Sequence, residues 1–154
     1  MTEIDDAVPA TPSDLASWME LAREVQPLFG PMPDFSMHAT RGMARGTALV
    51  VRSAEGAVLG AALLSRESPV RTIRWLAVRK TARRLGVGAR LVEEILHRWP
   101  PPGDIHVVTF GPDVEGGSAA RQMYERFGFR PGLHVEPTAD STSRQEFVLA
   151  QPPT

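Results

Sequence analysis

The stretch that most constrains this chain runs from Ile73 to Leu96, because its character changes twice within a few residues. Ile73-Arg74-Trp75-Leu76-Ala77-Val78 is a short apolar run that reads as a strand. It leads into Arg83-Arg84-Leu85-Gly86-Val87-Gly88, and from there Val87, Leu91, Val92, Ile95 and Leu96 recur at helical spacing. The order is strand, basic glycine loop, helix. Glycines at 86 and 88 remove side chains that would hold a ligand away from the backbone, so amide N–H groups at the helix start can point outward together. The helix dipole adds partial positive charge, and Arg83 and Arg84 add full charges able to pair with phosphate oxygens. The alternative is a tight turn with solvated arginines. Two familiar phosphate loops are excluded by spacing. Lys80, the only lysine, is preceded by Arg79 where a Walker loop needs glycine, and Leu91 stands where a dinucleotide fingerprint needs its third glycine.

Composition narrows the class of protein around this loop. A length of 154 residues suits one domain, expected to span 1–154 with 1–10 mobile or a short edge segment. Apolar runs fall short of a membrane span, and the acidic start from Met1 to Asp6 lacks the pattern of a signal peptide, so a cytoplasmic location is expected. With no cysteine, disulfides, thiolate metal sites and a cysteine nucleophile are excluded. A net charge of −1 gives no general attraction to nucleic acid or anionic lipid, and neither is expected as a partner. Positive charge is instead local, at Arg79, Lys80, Arg83 and Arg84.

Along the chain, Thr11-Pro12-Ser13-Asp14 opens a helix with Leu15, Trp18, Met19, Ala22 and Val25 on its apolar face, expected to stop at Pro27. After the rigid Gly30-Pro31-Met32-Pro33 loop, Asp34 or Ser36 can cap a second helix that ends near Gly46. Runs at 47–52, 57–64 and 70–78 read as an antiparallel meander, its first turn at Ser53-Ala54-Glu55-Gly56. Trp99-Pro100-Pro101-Pro102-Gly103 stops the helix that follows the glycine loop. Ile105 to Phe110 then reads as a buried strand, parallel to the one before that helix. A shorter helix carries Ala120, Met123, Tyr124 and Phe127. Phe129-Arg130-Pro131-Gly132 is expected to turn the chain into a final hairpin of 133–136 and 145–150.

Three features together resemble the GNAT superfamily of N-acetyltransferases: the meander ending in Leu76-Ala77-Val78, the Arg83-x-x-Gly86-x-Gly88 loop with its helix, and Tyr124-Glu125-Arg126-Phe127-Gly128-Phe129. The resemblance runs from about Thr11 to Ala150 in element order as well as motif. It implies an α+β, GNAT-like domain whose central mixed, mostly antiparallel sheet has one splayed parallel strand pair and about four flanking helices. It implies acetyl-CoA as cosubstrate and no metal. Arg83, Arg84, Leu85, Gly86, Val87, Gly88 and Ala89 would hold the pyrophosphate, and Leu76, Ala77 and Val78 would pair with the pantetheine arm. Tyr124 occupies the family's general-acid position, where a phenol can protonate the departing thiolate. The alternative for Tyr124 is an amphipathic core residue.

The chain departs from the family at three positions. Arg74 stands where many members place a glutamate base, Gly117 stands seven residues before the tyrosine where an asparagine is frequent, and Lys80 replaces a common proline. The base is therefore left open among Asp34, His38, Glu67, His106, Asp113 and Glu115. Asp34 and His38 are kept as acceptor-binding candidates, and the Pro and Met content between Gln26 and Gly46 suggests an apolar acceptor wall. The implied activity is transfer of an acetyl group to a primary amine, on a small molecule or a peptide, by direct attack in a ternary complex of a monomer or homodimer. Two competing classes are a non-catalytic acyl-CoA-binding or sensing domain, favoured by the missing glutamate and asparagine, and nucleic-acid binding through Arg79 to Arg84. The second is disfavoured because that cluster is short, lacks interleaved aromatics and sits in a chain that is not basic overall.

Overall fold

A computed structural model describes residues 4–137 and 143–153. Its helices are α1 (Leu15–Phe29), α2 (Phe35–Arg45), α3 (Val87–Arg98) and α4 (Ser118–Arg126). The strands are β1 (Val8–Pro9), β2 (Ala48–Arg52), β3 (Val58–Leu64), β4 (Arg71–Val78), β5 (Ile105–Phe110), β6 (Arg130–Val135) and β7 (Arg144–Leu149). They form one sheet in the order β1-β2-β3-β4-β5-β7-β6, antiparallel throughout except for β4 and β5. Helices α3 and α4 cover one face, where Val87, Leu91, Val92, Ile95 and Tyr124 pack on Leu49, Val51, Ile73, Ile105, Val107 and Phe147. Helices α1 and α2 cover part of the other, where Trp18, Leu21, Val25 and Ala39 pack on Val50, Ala61, Leu63 and Ala77. Each helix is amphipathic and can bury only one stripe, so two helical layers around a sheet satisfy all four. No helix among the described residues is long and apolar enough to cross a membrane.

Two elements differ from the expectations. Pro27 lies inside α1, which continues to Phe29. Proline forbids the hydrogen bond to the carbonyl four residues earlier, yet Gly30 still donates to the Gln26 carbonyl at 2.8 Å and closes the last turn past it. The helix is also held from its other end. A 3₁₀ turn over Pro12–Asp14 precedes it, and the buried Asp14 accepts from the Thr11 N–H at 2.8 Å and from Arg52 Nε at 2.8 Å and Nη2 at 2.6 Å. Burial raises the cost of ionising Asp14, but the Arg52 guanidinium and the Thr11 N–H outweigh it and hold the carboxyl below the usual carboxylate range. The second difference is at Arg130-Pro131-Gly132, which belongs to β6 rather than to a turn. As an outermost strand β6 can accept a proline, and a register shift between Pro131 and His134 absorbs it.

Two irregularities of β4 position everything that follows. The ladder with β5 holds only at Arg71, Thr72 and Ile73 against Ile105, His106 and Val107, and beyond that the two strands part. The ladder with β3 pairs Leu63 with Trp75 and Leu64 with Ile73, so Arg74 is an extra, bulged residue. Strict alternation would put Ile73 and Trp75 on one face. The bulge puts Ile73 in the α3/α4 core and Trp75 against the α1/α2 core.

Candidate functional site

The glycine loop opens at the mouth of the parted strands. After β4, a short 3₁₀ turn over Lys80–Ala82 leads to Arg83, Arg84 and Leu85, all exposed, and Gly86 caps α3 with φ of 83°. Arg84 also has positive φ, 74°, which costs a non-glycine residue about 1–2 kcal/mol. The first helical bond of α3 runs from the Arg90 N–H to the Gly86 carbonyl at 3.0 Å. The N–H groups of Val87, Gly88 and Ala89 therefore precede the ladder, and α3 has no side-chain cap to satisfy them. Gly88 is required for a different reason: a Cβ there would lie 2.6 Å from Met123 Sδ, so its absence lets α4 close on the first turn of α3. A helix start with open donors, a dipole and two free-standing arginines fits a pyrophosphate.

Arg79 belongs to a different task. Its guanidinium donates to the Val58 carbonyl at 2.7 Å and the Ser17 carbonyl at 3.0 Å and lies within 4 Å of Glu20 and Glu24, while the Lys80 N–H donates to Glu24 at 2.7 Å. Arg79 and the Lys80 backbone tie α1 to the sheet, whereas Arg83 and Arg84 are exposed at the loop.

Tyr124 sits on α4 beside this loop, next in sequence to Met123, and is only 3% exposed. Its ring packs against Phe129 and Phe147, with centroids 5.4 Å and 6.4 Å away. Burial pushes the hydroxyl well above the ordinary phenol value, which keeps it protonated. Arg121 fixes α4 by donating to the Phe110 carbonyl at 2.9 Å and Gln145 Oε1 at 2.7 Å. Gly117, at the position of the family's asparagine, is backed against β5, where a Cβ would meet Phe110 Cβ at 2.5 Å. No longer side chain fits there as the chain is packed.

Leu76 and Val78 edge the α3/α4 core, and Ala77 is buried on the opposite face. That opposite face carries an aromatic cluster the sequence did not reveal. Trp75 packs against Phe35 at 4.8 Å and Phe29 at 5.5 Å, and Phe29 reaches Phe110 of β5 at 5.4 Å, bridging the gap between the parted strands. Met32 accepts from Trp75 Nε1 at 3.2 Å. The apolar wall expected from residues 26–46 is thus aromatic and stands at the fork. Asp34 and His38 are both exposed on α2, on the α1/α2 side of the sheet, whereas Tyr124 lies in the core across it. Asp34 has φ of 59° at the start of α2 and caps nothing with its side chain.

Among the other candidate bases, Glu67 is paired with Arg71 at 2.7 Å, and Asp113 accepts from Ser143 Oγ at 2.7 Å, which holds its carboxyl below the ordinary value. Glu115 is exposed. His106 is different. It is half-buried on β5, opposite Thr72, one position before the last pair at the fork. Its neighbours Ile105 and Val107 point into the α3/α4 core, so alternation sends His106 to the α1/α2 side, where Nδ1 lies 3.3 Å from Glu146 Oε2. Glu146, 40 residues away in sequence, is a partner that no local pattern could have indicated.

The sequence matches the model of the acetyltransferase (GNAT) domain over residues 44–131. Comparison with curated proteins gives no match. Among solved structures, a GNAT-family acetyltransferase from Bacillus cereus superposes with a TM-score of 0.74 at 16% identity, covering 98% of each chain. The ribosomal-protein-S18-alanine N-acetyltransferase of Escherichia coli superposes at 0.70 and 16% identity over 100% of this chain and 96% of its own. Naa50 of Arabidopsis thaliana, in complex with the bisubstrate analogue CoA-Ac-MVNAL, superposes at 0.71 and 16% identity over 96% and 97%.

Proposed function

Since the chain belongs to the GNAT acetyltransferase family, we propose that it transfers an acetyl group from acetyl-CoA to a primary amine by direct attack within a ternary complex. The observation that supports this is the parting of β4 from β5 with an open helix N-terminus at its mouth, which would serve as a slot and an anion grip. Bound there, the cosubstrate would supply an acetyl group activated as a thioester. Arg83, Arg84 and the N–H groups of Val87, Gly88 and Ala89 would hold the pyrophosphate, with Leu85 and Gly86 shaping the approach. The backbone of Leu76, Ala77 and Val78, freed from β5, would pair with the pantetheine arm, and spare N–H groups of the same stretch would receive the charge developing on the thioester oxygen.

The acceptor would approach from the α1/α2 side, past Phe29, Phe35 and Trp75. Its ammonium proton must leave first, and His106, oriented by Glu146, is the group we assign to take it. The amine lone pair then forms the C–N bond as the C–S bond breaks. Tyr124 gives its phenolic proton to the sulfur and regains one from the attacking nitrogen, which must shed its second proton to become the neutral amide. Its protonated state through the physiological range suits the acid role and not the base role. A second possibility, a binding domain without chemistry, draws on Arg74 and Gly117 at family positions. Incubation with acetyl-CoA and a panel of amines separates the two: release of free thiol with at least one amine is expected, and a protein that binds acetyl-CoA by calorimetry yet releases no thiol with any amine is a binder only.

A further inference from the structure

A cavity of about 470 Å³ lies against the first half of β4. Thr72 and Arg74 of β4 line it, so it flanks Ile73, the last residue paired with β5. Its other walls come from the end of α2, the end of β3 and the loop that joins β3 to β4: Arg45, Thr47, Ser65, Arg66 and Ser68 among them. Three of these residues are arginines from three separate segments. The ion pairs among the described residues use Arg52, Arg71, Arg79, Arg90 and Arg98 and none of Arg45, Arg66 and Arg74. The C-terminus of α2 does not need Arg45 as a cap, because the Gly46 and Thr47 N–H groups already donate to the Met43 carbonyl at 3.3 Å and the Gly42 carbonyl at 2.9 Å. Glu67, the carboxylate of the connecting loop, is committed to Arg71 at 2.7 Å and does not line the cavity.

Resting on the acetyltransfer reading, we propose that this cavity selects the acceptor: it binds an anionic group, phosphate or carboxylate, carried on the same small molecule as the amine to be acetylated. Arg45, Arg66 and Arg74 are exposed around this one space and make no ion pair among the described residues, so each guanidinium is available to offer two donors to a phosphate or carboxylate. The bulge gives Arg74 its part in this, because an extra residue in β4 projects out of the alternating pattern at the fork. An acceptor anchored there would hold its amine beside the parted strands, within reach of His106. Arg74 thereby changes meaning. Where the family's glutamate would attract an ammonium, the arginine binds the opposite end of the molecule.

The test compares matched amines in the thiol-release assay with the full chain: O-phosphoethanolamine against ethanolamine, and glycine against glycinamide. The charged member of at least one pair should show kcat/KM roughly tenfold or more above its neutral partner, and which pair responds distinguishes phosphate from carboxylate. An Arg45→Ala, Arg66→Ala double variant should raise KM for the charged acceptor roughly tenfold and leave acetyl-CoA affinity unchanged. Restoring charge with lysine at both positions should recover part of the loss. Equal use of charged and neutral partners, or a preference that survives the double variant, overturns the proposal. Residue-resolved NMR with O-phosphoethanolamine and with glycine gives a readout independent of turnover. Shifts at Ser68 and Thr72 that vanish in the double variant support the cavity even if no thiol is ever released, which would count against acetyltransfer alone. Absence of such shifts with both probes overturns the cavity even in an active enzyme.

Discussion

The proposed donor and acceptor sides of β4 are built on opposite plans. On the donor side, the loop from Arg83 to Ala89 is one continuous segment whose grip comes from backbone N–H groups and a helix dipole, with glycine where space or conformation demands it. The acceptor side is assembled from α1, α2, β3, β4, β5 and β7, and its chemistry comes from side chains: Phe29, Phe35, Trp75, Arg45, Arg66, Arg74, His106 and Glu146. A backbone grip tolerates many side-chain identities and serves one unchanging ligand. A side-chain wall can be rebuilt residue by residue, so on the proposed reading specificity for the amine would belong there.

The contrast can be broken most forcefully at Gly86. Its φ of 83° suits glycine, and a Cβ there would meet nothing within 4 Å, so Gly86→Glu adds a carboxylate to the anion grip without a steric clash. Acetyl-CoA affinity should fall roughly 100-fold or more, at a stability cost of about 1–2 kcal/mol. Calorimetry and circular dichroism read the two separately, and unchanged affinity would remove the loop from the donor site. Tyr124→Phe keeps the ring packing with Phe129 and Phe147 and deletes only the hydroxyl. Turnover should drop roughly 100-fold with acetyl-CoA affinity intact. Turnover at the original level would leave Tyr124 a core residue.

On the acceptor side, His106→Gln should lower kcat roughly tenfold or more and flatten the rise of rate with pH. The unaltered protein should gain activity as pH rises through the pKa of its base and should not lose it again below about pH 10, because burial keeps Tyr124 protonated beyond the ordinary phenol range. A profile that turns down near neutrality would contradict that assignment. The smallest effect is expected at Asp14, distant from both walls. Its pKa is lower in the folded chain, so the stability it contributes is present above about pH 4 and is lost as pH falls through the folded value. Asp14→Ala should cost about 2 kcal/mol at pH 7 in a denaturant titration and leave acetyl-CoA affinity where it was.

The same contrast governs what the sequence disclosed. The glycine loop, its helix, the meander and the parallel strand are local patterns, and each stands within a residue or two of where periodicity and turn chemistry put it. Pro27 misled because the stop signal of proline is weak in the last turn of a helix, where few hydrogen bonds remain to lose. The bulge at Arg74 leaves little local trace, since Trp75-Leu76-Ala77-Val78 is apolar on both faces and reads the same in either phase. His106 with Glu146, Phe29 with Phe110, and the three arginines of the cavity are products of strand order, and strand order is not periodic. Asp34, at the start of α2, and His38, within it, are both exposed.

The bulge makes one strand answer to two masters. Residues before Arg74 and residues after it are out of phase, so Ile73, Leu76 and Val78 pack in the α3/α4 core while Trp75 and Ala77 pack in the α1/α2 core. Removing a single residue at this point would exchange those allegiances over half the strand and turn a tryptophan into the opposite core. Side chains on either wall can therefore be exchanged freely in evolution or design, but the length of β4 is common property. An insertion or deletion there would alter both proposed sites at once.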